Sequence, residues 1–157
     1  GHAIVIGSGR VGGPGGDELG RHDIPYIVVE QNRERVEELR KRGLPVIYGD
    51  ATRPDILRAA HFETARLIIV ATPDAFQARA ILELVKHVNP DAEVLVRTHS
   101  DEERKFLESH GAHVALVAER ELAVSLTRLA LRSFGVKHDM AQVAARTIQG
   151  AHTRQPA

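Results

Sequence analysis

The chain has 157 residues, with 21 Lys plus Arg against 21 Asp plus Glu; one domain's length and no net charge exclude the basic footprint of a nucleic-acid binder. Hydrophobic residues make up 43%, but no apolar run approaches the ~20 residues of a membrane-spanning helix, so a soluble piece without direct membrane insertion is expected. The absence of cysteine removes disulfides and thiolate-bound zinc, and the start at Gly1 on a strand-like run reads as a domain excised from a longer chain.

In chain order, short β-branched runs at His2 to Ile6, Pro25 to Glu30, Pro45 to Tyr48, Arg66 to Val70, Glu93 to Arg97 and His113 to Val117 alternate with helical stretches. That alternation predicts an α/β fold, a Rossmann-like doubly wound parallel six-stranded sheet in the order 3-2-1-4-5-6, with helices on both faces. Asn32 is placed to cap a helix running to about Arg42, which Gly43 ends in a left-handed conformation. Thr72, with Pro73 at the first helical position, opens another helix that Asn89-Pro90 closes, and Ile81, Leu84, Val85 and Val88 form its apolar stripe. Ser100 and Glu103 have capping-box spacing at the head of a helix ending near Gly111.

The last helix, roughly Glu119 to Phe134, carries Leu122, Leu126 and Leu129 on one stripe and Val124, Leu131 and Phe134 off it. Two apolar faces call for two partners, the sheet and either a second subunit or a missing part of the parent chain; deep burial is the alternative. Residues 1–134 thus form one domain, and 135–157 are read as a C-terminal crossover helix or a disordered tail.

Directly after the first strand, Gly7-Ser8-Gly9-Arg10-Val11-Gly12 matches G-x-G-x-x-G in its strand-then-helix context. Gly7 supplies the tight turn, Gly9 lets backbone approach a phosphate, Gly12 allows close helix packing, and the helix N-terminus faces the anion. Glu30 ends the second strand 18 residues after Gly12, where a carboxylate accepts from a ribose 2′-hydroxyl and disfavours a 2′-phosphate. Gly49-Asp50-Ala51-Thr52 follows the third strand at the same sheet edge, with Asp50 a candidate for reading an adenine amino group. Arg97 and His99 follow the fifth strand, where a cation can meet a phosphate or an anionic effector. The nine histidines lack metal-ligand spacing. Gly13-Pro14-Gly15-Gly16 conflicts with a regular helix after the loop, so that helix is expected to start late, fray or be restructured, with weakened phosphate binding.

These residues, with Ile27-Val28-Val29-Glu30 before Arg33 to Leu39, Gly43 to Thr52 and Ala71-Thr72-Pro73-Asp74, resemble the N-terminal subdomain of domains that regulate potassium conductance, RCK or TrkA-N. Asn89-Pro90-Asp91 and Val96-Arg97-Thr98-His99 look like the cytoplasmic C-terminal domain of Kef-type cation:proton antiporters, the YbaL-like branch. The resemblance implies an adenine nucleotide as ligand, NAD(H), AMP, ADP or ATP. It implies a homodimer through the C-terminal helix, and a parent antiporter whose domain here lies at the cytoplasmic face of the bacterial inner membrane. The implied nucleotide-contacting positions are Gly7, Ser8, Gly9, Arg10, Val11, Gly12, Glu30, Gln31, Arg35, Gly49, Asp50, Ala51, Thr72, Pro73 and Arg97, with no catalytic residue. Two other functions stay open. One is a small NAD-dependent oxidoreductase, although Tyr26 and Tyr48 lack a Y-x-x-x-K arrangement; the other is a scaffold that keeps the fold without binding, for which Gly13 to Gly16 speak.

Overall fold

The structure, a computed structural model, describes residues 1–9, 12–143 and 147. Six strands, β1 (Ala3–Ile6), β2 (Tyr26–Glu30), β3 (Val46–Tyr48), β4 (Leu67–Val70), β5 (Glu93–Thr98) and β6 (Val114–Val117), form one parallel sheet in the order β3-β2-β1-β4-β5-β6. Each expected strand is present, trimmed by a residue or extended by one at its ends.

The alternation along the strands divides the core between two faces. Ile4, Ile6, Val29, Ile68, Val70, Val94 and Val96 point to the side covered by α3 (Pro54–Ala59), α4 (Ala75–Val88) and α5 (Asp101–Ser109), and with Leu57, Ile81, Leu82, Val85 and Leu107 they build the larger core. Val5 and Val28 face α1 (Gly12–Arg21) and α2 (Arg33–Lys41), packing with Leu19 and Leu39. This second face has no comparable cover at its other end: Val114 and Leu116 of β6, aligned with Leu95 and Arg97 of β5, stay 36% and 45% exposed.

Helix α1 corrects the expectation drawn from Gly13 to Gly16, for it runs regularly from Gly12. Pro14 sits in the first turn, where a missing N–H costs nothing. Gly16 and Gly20 serve packing: a Cβ on either would meet the Tyr26 ring at 3.4 Å, so the ring lies along the bare side of the helix. Helix α2 follows the sequence reading, with Asn32 as its cap and Gly43 at φ +73° after its end.

Helix α4 begins later than expected. Asp74 is the cap, accepting from the Gln77 N–H at 3.0 Å, while the Thr72 hydroxyl donates to Gln77 Oε1 at 3.1 Å and leaves Thr72-Pro73 in the loop. Its buried stripe is Ala78, Ile81, Leu82 and Val85; Val88 is 42% exposed. At α5 only half of the capping box forms. Ser100 Oγ accepts from the Glu103 N–H at 3.1 Å, but the Glu103 carboxylate turns to Arg79, whose Nε and Nη2 approach it at 2.7 and 2.5 Å. Helix α3 and the 3-10 turn Phe62–Thr64 have no counterpart in the sequence reading.

Helix α6 (Ala118–Ser133) contains no buried residue, which overturns the deeply buried alternative. Leu122, Leu126 and Leu129 are 60%, 58% and 55% exposed, and Phe134 at the C-cap is 90% exposed. After Gly135, at φ +81°, residues 138–143 are helical; Ala141 is fully buried, and Arg128 Nη1 lies 3.5 Å from Gln142 Oε1 across the turn. The rest of the expected crossover helix or tail, 144–146 and 148–157, lies outside the described residues.

Candidate functional site

Where β1 and β4 diverge into opposite connections, the carboxyl ends of the strands leave a crevice, the place where doubly wound sheets bind ligands. Here it is a cleft of about 430 Å³, within the range of small-molecule sites. Its walls include Gly7, Gly9, Glu30, Gln31, Arg35, Gly49, Ala51, Thr72, Pro73 and Arg97, all expected from the sequence, together with Ile6, Val29, Ala71, Gln77 and Ile81, which the sequence reading missed. The missed residues had a signal. Ile6, Val29 and Ala71 stand at or beside strand ends, and Gln77 is a polar residue four before Ile81 on the buried stripe of α4.

At Gly12 the glycine loop leaves no room for a side chain. A Cβ on Gly12 would lie 1.7 Å from the Gly7 carbonyl oxygen, so the start of α1 presses against the turn after β1. A Cβ on Gly9 would meet only the Arg35 guanidinium, with Nη1 at 3.3 Å, so above Gly9 a flexible side-chain end rather than backbone limits access. Arg10 and Val11 lie outside the described residues.

Glu30 is 4% exposed and organises the loop as much as it faces the cleft. Its Oε2 accepts from the Ser8 N–H at 2.8 Å and the Ser8 hydroxyl at 3.2 Å, and its Oε1 accepts from the Asn32 N–H at 3.1 Å. Oε1 keeps room for one more donor, on the side where Arg35 Nη1 stands 3.6 Å away. Ser8 is thus bonded to Glu30 rather than lining the cleft. Asp50 is also drawn inward to its own turn, Oδ1 accepting from the Thr52 N–H at 2.9 Å and hydroxyl at 2.8 Å, and it does not line the cleft.

The far wall is set by β5. Arg97 lines the cleft, and its Nε is buried without a hydrogen-bond partner among the described residues. His99 does not reach in; its Nε2 lies 2.9 Å from the Pro73 carbonyl oxygen, an arrangement that places the proton on Nε2 and fixes the loop before α4. Tyr26 and Tyr48 are absent from the walls, which therefore offer no phenol as a proton donor. Among the described residues no group of three or more His, Asp or Glu could hold a metal ion, and no helix is long and apolar enough to cross a membrane.

The residues present fit an adenine nucleotide: bare backbone at Gly9, a buried carboxylate with one free acceptor position for a ribose hydroxyl, and an orphaned guanidinium N–H for an anion. The chain is 38% identical over 128 residues to the putative cation/proton antiporter YbaL of Escherichia coli (strain K12), a match covering 82% of this chain and 23% of that protein. The chain therefore spans about a quarter of that relative's length. The crystal structure of the TrkA-N domain of the Escherichia coli inner membrane protein YbaL superposes with a TM-score of 0.78, covering 82% of this chain and 95% of that one. Two more distant structures share the fold: the AMP-bound Kef C-terminal domain of Shewanella denitrificans, at 23% identity, TM-score 0.81 and 96% and 92% coverage, and the GsuK channel bound to NAD, at 20% identity, TM-score 0.73 and 81% and 23% coverage. The TrkA-N domain profile matches residues 3–118, and the chain belongs to that family.

Proposed function

We propose that this chain is a nucleotide-sensing regulatory domain of a membrane antiporter for potassium or another monovalent cation. An adenine nucleotide, NAD(H), AMP or ATP, occupies the cleft and biases the arrangement of a dimer coupled to the transport domain. In this reading the domain lies at the cytoplasmic face of the bacterial inner membrane and catalyses nothing. The observation that carries it is the cleft that joins Gly7 and Gly9, Glu30 and Arg97 at the sheet's switch point in a chain of the TrkA-N family. An oxidoreductase would need an acid or base at the cleft, and among the described residues the only carboxylate in its walls is Glu30, already engaged by Ser8 and Asn32. The non-binding scaffold loses its main support, because α1 is regular through Gly13 to Gly16.

The dimer is a second copy seated on α6. Leu122, Leu126 and Leu129 of α6 and Val114 and Leu116 of β6 are apolar and exposed, and contiguous exposed apolar surface marks an interaction site. A two-fold arrangement would cover each copy's stripe with the other's.

Calorimetric titration with AMP, ATP, NAD⁺ and NADH tests the binding. Saturable binding of an adenine nucleotide without turnover is expected. Glu30→Gln, which sets an amide N–H₂ against backbone donors, should weaken it by about 1–3 kcal/mol. Failure of all four to bind would overturn the reading.

A further inference from the structure

We infer that Arg97 links occupancy of the cleft to dimerisation: its unpaired guanidinium opposes the approach of the second copy until an anionic ligand neutralises it. The inference rests on the nucleotide and dimer readings above and names the residue that joins them and the sign of its effect.

Arg97 belongs to two surfaces at once. It lines the cleft near the carboxyl end of β5. In the β5–β6 register it is aligned with Leu116, and Leu95 with Val114, so these four side chains share one face of the sheet, while Val94, Val96 and Thr98 turn to the other and are buried. Leu116 is 45% exposed on the shared face, the surface that the second copy covers. Neighbouring strands lie about 4.8 Å apart, so a copy seated on Leu116 also takes water from Arg97.

The guanidinium has nothing to meet that loss. Among the described residues Arg97 forms no side-chain hydrogen bond or ion pair, and its Nε is already buried. Glu30, the carboxylate in the cleft wall, ends β2, three strand spacings from β5 across β1 and β4, roughly 14 Å, and it is engaged by Ser8 and Asn32. Removing water from a charge that lacks a partner is unfavourable, and an anion beside the charge offsets much of that penalty. With the cleft empty, Arg97 therefore weakens the dimer; with an anion in the cleft, the two copies hold more tightly. Linkage makes the effect reciprocal, so the dimer binds the anion more tightly than the monomer by the same factor.

The experiment measures the dimer dissociation constant by sedimentation over a concentration series for the parent, Arg97→Met, Arg97→Gln and Arg97→Lys. Each is run without ligand and with AMP or adenosine at concentrations that calorimetry shows to saturate, with melting curves alongside. Arg97→Met, which keeps an apolar stem and loses the charge, should tighten the ligand-free dimer by roughly five- to fiftyfold; Arg97→Lys, which keeps the charge, should not. If Arg97→Met melts early, Arg97→Gln carries the same comparison. AMP should tighten the parent dimer by a factor in that range, and adenosine, which brings no charge, should leave it unchanged. For a parent dimer too tight to dissociate, Leu126→Asp supplies the monomer, which should bind AMP more weakly than the parent by the same factor. A ligand-free Arg97→Met dimer no tighter than the parent's overturns the inference, and a looser one would mark a carboxylate of the second copy on Arg97. A parent that binds AMP with its dimer constant unchanged, or changed equally by adenosine, overturns it too and leaves the nucleotide reading standing. A parent that is monomeric with and without AMP overturns the dimer reading along with it, and one that binds no adenine nucleotide overturns the nucleotide reading along with it.

Discussion

Gly12 and Gly15 stand three residues apart in the same helix turn and have opposite reasons to be glycine. The nearest atom to a Cβ on Gly12 would be the Gly7 carbonyl oxygen at 1.7 Å, whereas a Cβ on Gly15 would find nothing within 4 Å. Gly12→Ala must push α1 off the turn and should cost at least about 2 kcal/mol, with a visible loss in denaturant midpoint. Gly15→Ala should stabilise by about 0.5–1 kcal/mol, because the helix gains a better former at no steric cost. Denaturation of the two variants side by side checks both signs. The need for Gly12 was legible from its place in the motif. That Glu30 would spend its oxygens on Ser8 and Asn32 was not, because spacing shows that a carboxylate ends a strand but not which N–H groups the neighbouring turns aim at it. Asp50 shows the same limit: a carboxylate at the ligand edge became the hinge of its own turn.

The helices after β4 are tied to one another by ion pairs across their ends. Asp101, in the first turn of α5, accepts from Arg120 of α6 and from Arg104 at 3.2 Å; the Arg120 hydrogen bond, ahead of Arg104, holds its carboxyl down to about 2. The folded value lies below the unfolded one of about 3.9, so the pair stabilises fully above pH ~4, and the gain is lost as pH falls from there through about 2. With the carboxylate partly exposed, about 1 kcal/mol is a fair magnitude. Asp101→Asn should therefore melt lower than the parent at pH 6, and the gap should narrow steadily as the melts are repeated toward pH 2.5. Arg79 similarly depresses Glu103 through its hydrogen bond and lies 3.7 Å above the Phe106 ring, joining α4 to α5. Ser100-x-x-Glu103 announced the start of α5, but local spacing could not show that a residue 24 positions away would claim the carboxylate. Likewise α3, with six residues, is too short to show a helical period, and Thr72-Pro73 read as a helix start only until Asp74, two residues on, proved the better-placed cap.

At the scale of the whole molecule, strand order and both helical layers were readable from alternation and right-handed crossover rules, because the helices that connect parallel strands cover the faces of the sheet. What remains unburied is then informative. No α6 residue is buried, so Leu126→Asp should leave the far-UV spectrum of the domain intact and halve its mass in solution, as light scattering would record. A dimeric mass in both proteins would place the contact elsewhere, and a monomeric mass in both would overturn the dimer. The cleft adds a constraint of another kind. Its walls come from Ile6 to Ala51 on one side and from Ala71 to Arg97 on the other, and the two sets meet along the β1–β4 pairing. Neither half of the chain owns a binding site, so any ligand held there spans the seam between them. Its binding energy would count toward keeping the halves together, and a chain severed between residues 51 and 71 would have its reassembly thermodynamically linked to ligand concentration.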